Sequence, residues 1–316
     1  MGGSQAWADT ETNLAAITDP PHLIRFGFSS RIFAGFNENN ASAAVKTWVR
    51  TLAAEHGIPA DPNPIIYNNQ ASLVNAVRHQ QIDAITMTMD EYWSIRNQVK
   101  FDRMIGNVRA DGKFLEEYVL LVRKDSGINH LADLKNRSLL ELQSPSMSLA
   151  HIWLDTELMK QGLPPSGSYC DKVSQHNRLA RVILPVFFRQ CDACLVTRDG
   201  FETICELNPE VGKELKIMAS SPAVLPGGCF FNASLSADQE NQLIEQLKLL
   251  HTTPAGQQVL TVFQTERMEE RSPESLASSL ALLEEHQRLS DAAQGITSGV
   301  SAVNSYDGSS TNHVKQ

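Results

Sequence analysis

Three serines at two-residue spacing, Ser144, Ser146 and Ser148, lie in the stretch Gln143-Ser144-Pro145-Ser146-Met147-Ser148, directly before Leu149-Ala150-His151-Ile152-Trp153-Leu154. The second stretch predicts a helix ending near Gly162, and an apolar strand, Ser138-Leu142, precedes the serines. The first N–H groups of a helix lack internal partners and sit at the positive end of its dipole, so hydroxyls placed there complete an anion site. One serine acting only as a helix cap is the competing explanation, and the local sequence leaves both open.

Other side chains could join such a site. His176, within Ser174-Gln175-His176-Asn177, reads as a helix start where an imidazole can donate to an oxyanion; an exposed loop histidine is the plain alternative. His151 lies one turn beyond Ser148, placed either behind the site or against ligand. Ser29, Ser30 and Arg31 follow the first strand, where loops of open α/β sheets meet ligands, and a guanidinium fork matches carboxylate and phosphate oxygens. Phe33, Phe36 and Tyr92 are candidates for an apolar wall. Thr197 and Asp199 follow the strand Ala193-Val196, and Asp199 in a cleft would select an amine. Asp90 and Glu91 facing that cleft would repel a multiply charged anion; the alternative is that Glu91 completes a capping box with Thr88 while Asp90 faces solvent.

The elements that must hold these residues alternate. Strand Ile24-Phe28 leads to an amphipathic helix, Ala41-His56, with Asn40 as its cap. Strands Pro64-Tyr67 and Ile82-Thr86 are each followed by a helix, and strand Tyr118-Arg123 by the turn Lys124-Asp125-Ser126-Gly127. This pattern predicts an α/β fold of two lobes, each a mixed, mainly parallel sheet flanked by helices. Lobe 1 is expected over 23–125 and 220–290 and lobe 2 over 126–219, with a leader at 1–22 and a disordered Ser/Gly/Ala/Asn-rich tail at 291–316. Two crossings between lobes imply a hinge. Pro185 should kink or divide a helix over Asn177-Arg189, and Pro273-Leu289 should form a final bracing helix.

Composition narrows the class. A chain of 316 residues, 42% of them hydrophobic, can bury two cores. A net charge of −9 with no basic block argues against nucleic acid as a partner, and no run approaches the roughly 20 apolar residues of a spanning helix. Ala6-Trp7-Ala8 before Asp9 has the small-x-small form of a signal-peptidase site, although the apolar stretch that should precede it is missing; the expectation is an exported, periplasmic protein, with a chance match in a disordered leader as the alternative. Five cysteines at irregular spacing define no disulfide framework, and Cys191-Asp192-Ala193-Cys194 reads as structural, with its bridging left open. No G-x-S-x-G, P-loop, G-x-G-x-x-G or H-E-x-x-H motif is present, and no cofactor or metal is implied.

Taken in order, Ile24-Arg25-Phe26-Gly27, Gln80-Gln81-Ile82-Asp83-Ala84, Tyr118 through Ile128 with Leu131-Ala132-Asp133-Leu134-Lys135, Gln190-Cys191-Asp192-Ala193, Ser220-Ser221-Pro222 and His251-Thr252-Thr253-Pro254-Ala255-Gly256 resemble the phosphate/phosphite/phosphonate-binding family of periplasmic substrate-binding proteins of ABC transporters. The resemblance implies a type II periplasmic binding fold, two lobes joined by two hinge strands, with an oxyanion held in the cleft. Carried onto this chain, it points to Ser144, Ser146 and Ser148, to His176 and to Tyr92. It departs from the family where a serine-threonine-serine run is usual and Ser146-Met147-Ser148 stands here, which removes one hydroxyl. The expected function is capture of a small oxyanion by a monomer serving an ABC permease. A sensor module signalling to a histidine kinase, cyclase or chemoreceptor is the alternative. An enzyme on this fold comes third, with His176 and Asp199 as its sole acid/base pair.

Overall fold

A computed structural model describes residues 23–304 except 35–37, 110, 234 and 263–264. The expected leader, Phe36 and the last residues of the expected tail lie outside the described residues. The first half contains β1 (Phe26–Ser29), α1 (Glu38–His56), β2 (Ile65–Tyr67), α2 (Gln70–Arg78), β3 (Ala84–Thr88), α3 (Met89–Ile95), β4 (Phe101–Val108), β5 (Tyr118–Arg123) and β6 (Ser138–Leu142). There follow α4 (Ala150–Lys160), α5 (Ser166–Tyr169), β7 (Lys172–His176), α6 (Leu179–Phe187), β8 (Ala193–Thr197), α7 (Arg198–Leu207), α8 (Pro209–Glu214) and β9 (Leu215–Ser220). The chain ends with β10 (Gly227–Asn232), α9 (Ala237–Leu249), α10 (Pro254–Val262), β11 (Arg267–Glu270) and α11 (Ala277–Asn304). No helix among the described residues is long and apolar enough to cross a membrane.

Two sheets result, in the orders β11-β4-β10-β3-β1-β2 and β7-β6-β8-β5-β9. β1 runs parallel to β2 and β3, and β6 parallel to β7 and β8, as expected of strand–helix–strand units. β10 and β11 in the first sheet, and β5 and β9 in the second, add antiparallel pairings. The chain leaves lobe 1 from β4 to enter β5 and leaves lobe 2 from β9 to enter β10, and β11 adds an antiparallel edge to the first sheet, so both sheets are mixed.

β5 belongs wholly to the second sheet, between β8 and β9, so the change of lobe falls before Tyr118 rather than at 126. Its five fully buried residues, Tyr118 through Val122, need cover on both faces, which a central strand supplies. The two crossing segments meet where Glu116 and Val224 exchange N–H···O bonds of 2.7 and 2.8 Å.

α1 starts at Glu38, so Asn40 lies inside the helix rather than capping it. Pro185 sits within α6, which continues past it to Phe187, so the proline does not divide the helix. α11 runs on to Asn304, so 291–304 is helix rather than tail; Asp291-Ala292-Ala293-Gln294 contains good helix formers that extend an already nucleated helix. α11 packs against α3 of the first lobe and α4 of the second. The Ser279 hydroxyl, fully buried, accepts from Leu225 N and donates to Leu225 O, tying this helix to the returning crossing segment.

Candidate ligand-binding cleft

Between the sheets lies a cleft of about 940 Å³ lined from both lobes and from both crossing segments. Its lobe 2 side carries Ser144, Pro145 and Ser146, the turn between β6 and α4, together with Thr197 and Asp199 at the start of α7. These positions follow the carboxyl ends of β6 and β8, two parallel neighbours, where open α/β sheets present loops to ligands. Ser144 and Ser146 hold their hydroxyl oxygens 3.0 Å apart, and Tyr118 fixes the turn from below by donating its phenol to Ser146 O at 3.0 Å. Burial pushes that phenol's pKa far above its ordinary value, so it stays a donor.

Across the cleft, lobe 1 contributes Phe28, Ile32 and Phe33, the Trp48 face of α1, and Thr86, Met87 and Thr88 of β3. The floor is made close by Gly227: a Cβ there would stand 2.6 Å from Met87 O, so only glycine lets β10 approach β3 at this point.

Arg109, on the outgoing crossing segment, is the cleft's basic side chain. It pairs with Glu116 at 2.5 Å and with Asp199, and Lys113 reaches Asp199 at 3.1 Å. Burial pushes the Glu116 carboxyl up against the opposing pull of Arg109. Neither Arg109 nor Glu116 is evident from sequence, because each lies in a crossing segment with no periodic pattern; the turn signal Asp111-Gly112 beside Arg109 was the available clue.

The remaining expected site residues are placed elsewhere. Ser148 donates to Pro226 O at 2.7 Å, so it holds a crossing segment instead of lining the cleft. His176 is the exposed last residue of the edge strand β7, not a helix start, and its carbonyl accepts from Gln143 N at 2.8 Å. Tyr92 stacks on Phe230 with centroids 4.6 Å apart and lines a separate 560 Å³ pocket beside Phe101 and Arg271, because α3 turns that side chain under the sheet. Ser29 is buried; its hydroxyl donates to Glu91 at 2.6 Å and accepts from Arg31 N at 3.1 Å, capping the 3-10 turn Ser30–Phe33. Within that turn Ser30 and Arg31 stay out of the cleft lining, and Arg31 pairs with Asp90. Glu91 completes the Thr88 capping box, while Asp90 forms an ion pair instead of facing solvent unpaired. His151 lies between Glu141 at 2.8 Å and Asp155 at 3.2 Å, away from the cleft. All five cysteines are free, Cys191 and Cys194 included.

The family model for the periplasmic substrate-binding protein of phosphonate ABC transporters matches residues 32–276, a span that contains the second sheet, the first sheet except β1, and both crossings. The chain belongs to that family. Its members are binding proteins of the periplasm, which is an extracytoplasmic location.

Solved structures share the two-lobe fold at low identity. The binding protein component of an ABC phosphonate transporter from Pseudomonas aeruginosa has 18% identity, covers 85% of this chain and 88% of its own, and gives a TM-score of 0.58. A Xanthomonas citri protein bound to chloride ion has 17% identity over 85% of this chain and 99% of its own, with a TM-score of 0.61. PhnD1 from Prochlorococcus marinus in complex with methylphosphonate has 15% identity over 83% of this chain and 97% of its own, with a TM-score of 0.56. No curated protein matches the chain significantly.

Proposed function

We propose that this family member binds a phosphorus oxyanion in the interlobe cleft, with the Ser144 and Ser146 hydroxyls and Arg109 as its principal donors, and presents the closed form to an ABC permease. The observation that carries the reading is the convergence of the serine turn of lobe 2 and the Arg109 guanidinium of a crossing segment on one cavity. Hydroxyl and guanidinium donors suit phosphonate oxygens, and charge-assisted contacts are the stronger kind. The output is lobe closure rather than bond breaking, since closure brings both sets of groups onto one ligand and changes the outer surface. The protein acts as an exported monomer without a cofactor.

A thermal-shift screen against methylphosphonate, phosphite, phosphate, sulfate and aminoethylphosphonate tests this. A ligand at about 100 times its dissociation constant stabilises the folded state by roughly 2.7 kcal/mol, a readily visible shift. Stabilisation by a phosphorus oxyanion that Ser146→Ala diminishes is expected. An unchanged melting curve across the whole panel would overturn the reading.

A further inference from the structure

We infer that the ligand is amphiphilic: an oxyanion head on an alkyl or aryl body, as in a medium-chain alkylphosphonate or the corresponding monoalkyl phosphate. The inference rests on the oxyanion reading above and adds the body to the head. Its first ground is size. At about 940 Å³ the cleft falls in the range that encloses drug-sized ligands, whereas a phosphonate head with one methyl group has five heavy atoms.

The second ground is how polarity is divided. On the lobe 1 side, Phe28 meets Trp48 edge-on at 5.6 Å and Phe33 at 6.2 Å, and Leu260 and Met268 continue the wall. Ala41, Ala44 and Trp48 share one face of α1, and the two alanines leave open the room that larger residues would fill. Four threonines on this side have their hydroxyls engaged within the protein: Thr47 donates to Ala43 O at 2.9 Å, Thr261 to Gln257 O at 2.8 Å, Thr265 to Val108 O at 3.0 Å and Thr88 to Glu91 Oε2 at 2.9 Å. The amides lining it, Asn40, Asn107 and Gln258, are themselves solvent exposed. The serine turn, by contrast, keeps two hydroxyls bonded only to each other.

The third ground is adjacency. The 3-10 turn Ser30–Phe33, which carries Ile32 and Phe33, lies against the turn Pro145–Met147 across the cleft. An anion seated at Ser144 and Ser146 therefore has apolar side chains beside it, and a substituent on phosphorus runs from there along Phe33 toward Trp48 and Ala44.

Isothermal titration of a homologous series tests the body separately from the head: methyl-, butyl-, hexyl-, octyl- and phenylphosphonate, with monohexyl phosphate to separate the phosphonate from the ester source. Each added methylene buried should lower Kd about fourfold until the space is filled. In Ala44→Trp, which occupies that space with a residue α-helices accept, the ratio of methyl to hexyl Kd should collapse toward one. If methylphosphonate binds and Kd stays level along the series, the amphiphile is overturned and the oxyanion reading stands. If no member binds to protein that is folded by circular dichroism, the oxyanion reading falls as well.

Discussion

The Ser148 hydroxyl of lobe 2 donates to the main-chain carbonyl of Pro226, 2.7 Å away, in the segment by which the chain returns to lobe 1. Ser148 is thereby tied to the returning segment, while Ser144 and Ser146 line the cleft. Ser148→Ala should cost about 1 kcal/mol of stability with little change in oxyanion affinity, while Ser144→Ala and Ser146→Ala should each weaken binding by about 1–2 kcal/mol. Urea denaturation and calorimetric titration of the three variants separate the roles; a Ser148→Ala loss of affinity equal to that of Ser146→Ala contradicts this division.

Arg109 is shared by three carboxylates: Glu116, Asp199 and, at 3.6 Å, Asp111. Asp199→Asn leaves the guanidinium held by Glu116 but lowers the negative charge it must balance, so binding of an alkylphosphonate should tighten by about 1 kcal/mol, the scale of a partly exposed ion pair. Arg109→Gln should weaken it by more than that. Titration at low and high salt checks both, since the gain in Asp199→Asn should shrink as salt screens the charges.

Alkaline pH should loosen the second lobe through His151. Bonds to Asp155 first, and to Glu141, raise its pKa from 6.5 to about 10. The folded state therefore keeps a proton that the unfolded chain releases. The resulting stability is fully present below pH 6.5 and is lost as pH rises through about 10. Asp155 is depressed by the same contact, against the opposing effect of burial, and so contributes stability that is lost on acidification through the carboxylate range. Denaturant midpoints measured from pH 6 to 10.5 should fall for the wild type and run flatter for His151→Gln; parallel curves would rule out His151 as the source.

Gly227→Ala should be severely destabilising, since its Cβ would meet Met87 O at 2.6 Å and the obstacle is backbone. The strain has to be relieved by parting β10 from β3 at the cleft floor, with a cost on the order of 2–3 kcal/mol. A melting temperature within a degree of wild type would show that the floor gives way freely.

Strands with continuous apolar runs, such as Tyr118-Val119-Leu120-Leu121-Val122, were legible because a strand covered on both faces needs apolar residues throughout. Those left unread were β4, β7 and β11. β7 and β11 are sheet edges, reading Lys-Val-Ser-Gln-His and Arg-Met-Glu-Glu, and exposed edges carry polar and charged residues that hide the alternation. β4 includes Arg103, paired with Glu270, and Gly106, over which Arg271 lies, so its pattern depends on distant partners.

The same contrast runs through the site. Ser144, Ser146 and Asp199 were within reach because a position just after a parallel strand is a property of local order. Arg31 and Tyr92 follow strands too, yet Asp90 and Phe230 claim them, and nothing in local spacing encodes which neighbour a side chain will find. Arg109, Trp48 and Phe114 line the cleft through tertiary placement alone.

α11 lies along α3 and α4 at once and is fastened to the returning segment through Ser279 and Leu225. Together with the bridged pair Glu116 and Val224, it binds the two lobes along a spine, as the covers of a book are bound. Sliding one lobe past the other would break the Glu116–Val224 bonds. Under the closure proposed above, the opening angle between these covers is the coordinate that a bound ligand would set.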